Sequence, residues 1–117
     1  MNNRNIAITR IIKELGIPAN VGGYDCVKYA VELMVNDPTL KKAITKSLYP
    51  MVATKFDITP MRAERLIRYA IKRGWSSAKA ETKVLLFGHS VSGEKPKNGE
   101  FIVTVADYIL SSEGNEG

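Results

Sequence analysis

Between Thr59 and Arg73 the chain sets five cations and one carboxylate at helical spacing: Arg62, Glu64, Arg65, Arg68, Lys72 and Arg73. Arginine can present two parallel donors to the O6 and N7 of guanine, and glutamate can accept from the N4 of cytosine. A side-chain set of this kind suits the edges of base pairs in a major groove. The single carboxylate is the informative member. A purely electrostatic phosphate binder has no use for it, because it repels the backbone. It fits either a base reader or an ion-pair partner that orients Arg65 or Arg68. The same residues also suit a solvated helix face braced by pairs such as Glu64 with Arg68 at the i,i+4 spacing. Both readings stand on the residues alone.

These residues need a helix under them. At about 100° per residue, Leu66, Ala70, Ala63, Ile67 and Ile71 share one continuous arc. Glu64, Arg68, Met61, Lys72, Arg65, Arg62 and Arg73 share the opposite one. One face can pack into a core while the other offers mostly cations. Thr59 is a good N-cap and Pro60 a good first helical residue, so the helix starts there and runs to about Arg73, where Gly74 weakens it. Its N-terminal turn, Thr59 to Arg62, can dock on a phosphate. A shorter helix from Tyr49 or Pro50 to Phe56 precedes it across the tight connection Asp57-Ile58-Thr59. Helix, short turn and helix make the helix-turn-helix pattern.

The rest of the chain supplies the support. Ile8, Ile11, Ile12 and Leu15 recur at helical spacing in Asn5 to Leu15, with Gly16 as a stop and Pro18 behind it. A second helix is expected from Tyr24 to Asn36. A short third one is expected after the Asp37-Pro38 cap, through Leu40, Ala43 and Ile44. Ala80 to Phe87, closed by Gly88, makes another. His89 to Asn98 reads as a polar loop. A last helix is expected from Gly99 to Leu110, capped by Asn98, and Ser111 to Gly117 reads as a frayed tail. No stretch alternates with period two. The expected class is all-α, a bundle of about six helices in one domain spanning residues 1–117.

Composition narrows the function classes. At 44% hydrophobic and 25% charged residues, the chain has the balance of a soluble globular protein and can bury a core. No apolar run approaches the roughly 20 residues that span a bilayer, and no signal core follows Met1. A cytoplasmic location and no membrane partner are expected. Cys26 is the only cysteine, which excludes an internal disulfide and a cysteine-rich zinc site. The net charge of +5 favours a polyanionic partner, here double-stranded DNA. No nucleophile–base pair, paired carboxylates or metal cluster suggests an enzyme, and no cofactor is expected. Ser76-Ser77-Ala78-Lys79 matches a serine–lysine motif without its partner motifs. His89 lacks neighbouring ligands for a metal. Trp75 and Tyr49 read as core aromatics and Cys26 as a buried small hydrophobe.

From Ile6 to Leu110 the chain also resembles the C-terminal effector domain of the stage-zero sporulation master regulator family of endospore-forming Firmicutes. The matching stretches are Ile11 to Ala19, Gly23-Tyr24, Ile44 to Pro50, and, most densely, Arg62-Ala63-Glu64-Arg65-Leu66-Ile67-Arg68-Tyr69-Ala70-Ile71 with Trp75-Ser76 behind it. Leu86-Phe87-Gly88, Glu100-Phe101-Ile102 and Val105-Ala106-Asp107 follow. The resemblance implies a helical bundle that binds a box with a TGTCGAA-like core, commonly as tandem units. It implies base reading by Arg62, Glu64 and Arg65, with Arg68 in support. It further implies contact with the RNA polymerase sigma subunit through Ser77 to Ser90, and homodimer contacts through Phe101 to Leu110. Family members carry a phosphorylated receiver domain ahead of the effector. The present sequence is expected to hold no receiver domain and to act as a bare effector without that switch. Met61 stands where a small polar residue is expected. Asn20 and Gly23 replace a histidine and a lysine, Lys72 to Gly74 replace a more acidic and apolar stretch, and Ser77-Ala78 replace an Arg-Gly pair. A second expectation is therefore a protein-binding module that engages the sigma subunit or a full-length regulator and competes with it.

Overall fold

The computed structural model describes residues 3–88 and 94–114. Among them are six α-helices and no strand: α1 (Asn3–Glu14), α2 (Tyr24–Asn36), α3 (Tyr49–Phe56), α4 (Pro60–Trp75), α5 (Ala80–Phe87) and α6 (Asn98–Gly114). The all-helical expectation holds, and the end of α1 shows local chemistry at work. Ile8, Ile11 and Ile12 make the buried stripe of α1. Gly16 then adopts φ 88°, a left-handed conformation natural to glycine. The Gly16 N–H donates to the Lys13 carbonyl and the Ile17 N–H to the Ile12 carbonyl, the pair of bonds that closes a Schellman end.

Helix α6 lies across the other elements and packs on α1, α2, α4 and α5. Its Phe101, Ile102, Val105, Ala106 and Ile109 are buried with Val27, Ala30, Val31, Ile67 and Ile71 in one continuous core. Phe101 is 0% exposed. An aromatic row extends that core towards α5. Trp75 meets Phe87 edge-on at 5.2 Å between centroids, and Phe87 stacks on Phe101 at 6.1 Å. The short α5 is also pinned to the end of α1: the Lys79 N–H donates to the Glu14 carbonyl at 2.9 Å, and Thr82 Oγ1 donates to Glu14 Oε1 at 2.8 Å.

Several boundaries differ from the sequence reading. The expected third helix is two unlike pieces. Pro38–Lys42 is a 3₁₀ turn, capped by Asp37 Oδ1 accepting from the Thr39 N–H at 3.1 Å. Ala43 then breaks it at φ −143°. Ile44–Leu48 forms a π-helical turn, with the Leu48 N–H reaching five residues back to Ala43, and runs directly into α3. Pro50 sits in the first turn of α3, directly after that π turn.

Gly74 does not end α4, which continues through Trp75. Its lack of a side chain serves a contact instead: a Cβ there would lie 2.9 Å from the Gly16 backbone, and one on Gly16 would collide with the Gly74 carbonyl. Two backbones meet where neither can carry a side chain. Helix α6 begins at Asn98, whose side chain turns inward rather than capping. It also outruns the expected tail, reaching Gly114. Arg4 holds that end by donating from Nε and Nη2 to the Glu113 carboxylate at 2.7 Å each, while its Nη1 donates to Asn36 Oδ1 at 2.9 Å. His89 and the first half of the expected polar loop, and Asn115 to Gly117 of the tail, lie outside the described residues.

Candidate nucleic-acid interface

Three residues join α3 to α4. Asp57 takes the left-handed conformation at φ 56°, and the Ile58 N–H closes back on the Ala53 carbonyl at 3.0 Å. Thr59 is extended (φ −82°, ψ 155°), and its Oγ1 accepts from the Arg62 N–H at 3.1 Å. The expected N-cap is therefore formed, and the two helices with this turn are a helix-turn-helix. Removing such a cap typically costs about 1 kcal/mol.

The two arcs of α4 separate as the periodicity requires. Ala63, Ile67, Ala70 and Ile71 are buried, and α3 packs alongside. Leu66, at the margin, is only partly buried. Met61, Arg62, Arg65, Lys72 and Arg73 are exposed, Met61 at 71%. Among the described residues Arg62 and Arg65 form no ion pair, so their guanidinium groups remain available to an outside acceptor. The first two turns of α4 thus bring Thr59, Met61, Arg62 and Arg65 together. Lys72 and Arg73 stand two turns beyond Arg65, about 10 Å along the axis. Arg73 there borders a groove of about 620 Å³ shared with Lys13, Tyr24 and Ser77.

Glu64 and Arg68 behave differently from the other charges. Arg68 Nε donates to Glu64 Oε2 at 2.9 Å, with a longer 3.5 Å approach of Nη2 to Oε1. Both side chains are partly covered, at 43% and 34% exposure for Arg68 and Glu64. The hydrogen bond to Glu64, and then its charge, hold the Arg68 guanidinium protonated even more firmly than usual. Of the two roles open to the carboxylate, the structure forms the ion pair, and with Arg68 rather than Arg65. Arg68 also lies 5.1 Å from the ring centre of Tyr69, which is 51% exposed beside it.

Behind this pair lies a contact that sequence reasoning missed. Asn98 Nδ2 shares its two hydrogens among three acceptors, the Glu64 carbonyl at 3.1 Å, Tyr49 Oη at 3.1 Å and Glu64 Oε2 at a longer 3.3 Å. Burial pushes the Tyr49 phenol above its ordinary pKa, and the Asn98 hydrogen bond draws it part of the way back. Nothing local signals this link, because the partners are 34 and 49 residues apart. Tyr69 had a signal, an aromatic ring beside the cationic arc. Trp75 and Tyr49 are buried aromatics as expected, and Cys26 is a buried thiol whose pKa is raised, first by burial and then by the charge of Asp25.

No helix among the described residues is long and apolar enough to cross a membrane. Residues 8–109 match the family described as "Sporulation initiation factor Spo0A C terminal", a span that runs from the first buried isoleucine of α1 to the last of α6 and contains the whole helix-turn-helix. The chain belongs to that family of DNA-binding domains of sporulation transcription regulation.

Proposed function

We propose that the chain is a sequence-specific transcription regulator that lays α4 in the major groove and reads a TGTCGAA-like box. The observation that supports this most is the outward face of α4, where exposed Arg62 and Arg65 flank the Glu64–Arg68 pair. Arg62 and Arg65 donate to guanine edges. Glu64 either accepts from a cytosine or keeps Arg68 aimed at the groove. Thr59 and Met61 set the first turn of α4 against a phosphate, with Met61 adding an apolar contact. Lys72 and Arg73 take phosphates farther along. Binding to DNA locates the protein in the cytoplasm.

Two further partners belong to the same proposal. Homodimer or tandem contacts on adjacent boxes use α6. The RNA polymerase sigma subunit docks on the segment that contains α5, where Val84 and Leu85 are 42% and 63% exposed. Those two apolar side chains also favour a second reading, in which the domain acts by occupying the sigma subunit or a full-length regulator and competes with it. Arg65→Ala separates the two: it causes a large loss of specific binding if DNA reading is the function, and little change in activity if protein binding is.

The deciding experiment is a titration of the protein against a duplex carrying the box and a scrambled duplex, at physiological salt. Specific reading gives a preference of about a hundredfold or more. Affinity should also fall steeply with salt, with a log–log slope of about 0.9 for each phosphate neutralised. Equal, weak binding to both duplexes overturns the proposal.

A further inference from the structure

A buried amide must be matched on each polar atom or it destabilises the fold. Asn98 is 7% exposed, and its two ends are treated unequally. Two of the three atoms facing Nδ2, the Glu64 carbonyl and Glu64 Oε2, can only accept. That requirement places the NH2 group, not the oxygen, against α4. Oδ1 is buried with no hydrogen-bond partner among the described residues.

The donor end meets Glu64 at two places, its main-chain carbonyl at 3.1 Å and, through a shared hydrogen, its carboxylate at 3.3 Å. The carboxylate is thereby held from behind by α6 and from in front by Arg68 Nε at 2.9 Å. Tyr49 of α3 supplies the third contact, so the amide is fixed by both helices of the helix-turn-helix. Glu64 cannot change rotamer without breaking bonds to Asn98 and Arg68 together, and Arg68 has its Nε committed to that carboxylate.

We propose that Asn98 is a positioning residue for base reading: the first residue of α6, braced by Tyr49, sets the rotamers in which the Glu64–Arg68 pair meets the groove. The inference rests on the reading of α4 as the recognition helix. Its consequence is that sequence preference depends on a residue outside the helix-turn-helix that makes no contact with DNA itself.

The test uses the whole chain and two duplexes, one with the box and one scrambled. Asn98→Ala should lower the ratio of the two affinities about tenfold, the order of one lost base contact, while affinity for the scrambled duplex and the salt slope stay unchanged. In a Glu64→Ala background the same substitution should change the ratio no further, because Asn98 acts through Glu64. A general weakening of the fold would instead lower both affinities and add to the Glu64→Ala effect. Tyr49→Phe removes one partner without opening a cavity and should shift the ratio in the same sense by less, which keeps the test alive if Asn98→Ala does not fold. An unchanged ratio in both single variants, or an additive loss in the double variant, overturns the inference. If the wild-type chain binds both duplexes alike, base reading itself fails. The positioning claim is then decided on the free protein by exchange of the Arg68 Nε–H in nitrogen-15 NMR. Faster exchange in either single variant supports it, and unchanged exchange sinks it.

Discussion

The two longest helices, α4 and α6, are built on opposite plans. Helix α4 carries five cations and one carboxylate, and turns them outward. Helix α6 carries three carboxylates and no cation, buries five apolar side chains, and turns its first polar side chain inward. The charges alone orient the domain on a polyanion: α4 is attracted to phosphates and α6 is repelled by them. The core adds the complementary lesson. Helix α6 is one of the supports of α4, beside α3 and α2: Ile67 and Ile71 share the core with its apolar stripe, and Glu64 meets Asn98. Helix α4 displays charge, and α6 contributes packing without display.

That division can be broken most severely at Phe101. It is 0% exposed and stacks at the end of the row from Trp75 through Phe87. Phe101→Ala should cost about 3–5 kcal/mol of stability in denaturant titrations and weaken binding to box and scrambled duplexes in equal proportion. A loss below about 1 kcal/mol would mean that α6 is not such a support.

Arg65→Ala probes the other side of the comparison. Arg65 is exposed and forms no ion pair among the described residues, so unfolding stability should stay within about 0.5 kcal/mol. The preference for the box should fall by about 1–3 kcal/mol in the duplex titration. A variant that lost stability but kept its preference would reverse the roles assigned to the two helices.

The smallest effect is expected at the far end of α6. The hydrogen bonds from Arg4 hold the Glu113 carboxyl below its ordinary pKa. The unfolded chain therefore takes up this proton more readily than the folded one. The stabilisation is complete above the ordinary carboxylate value and is lost as pH falls through the lowered folded value. Glu113→Gln should flatten that stretch of a plot of melting temperature against pH at low salt. Both partners are more than a third exposed, at 37% and 36%, so the difference should shrink as salt is added. A difference that persists unchanged at neutral and acid pH would assign the end of α6 to packing rather than to the ion pair.

What the amino-acid sequence determined by itself is what depends on neighbours in the chain. Apolar spacing sets α1, α2 and α4. Thr59-Pro60 starts α4, Gly16 stops the first helix, and Ala80 to Phe87 closed by Gly88 is the short α5. The cationic arc of α4 follows from the same periodicity, since helical geometry alone decides which residues share a face. Tertiary structure decided the rest. Local chemistry allowed one helix after Asp37, but the structure has a 3₁₀ turn, a break and a π turn there, with Leu40 and Leu48 both carried into the core. Gly74 suggested a helix end and is instead the place where the backbone at Gly16 crosses α4. Asn98 suggested a cap and is instead a buried donor to α4. Glu64 was open to pairing with Arg65 or Arg68, and in the structure it pairs with Arg68 on its own helix and meets Asn98 on another. Each of these outcomes depends on atoms brought together from distant parts of the chain, where close approach and the matching of buried polar groups overrule local preference.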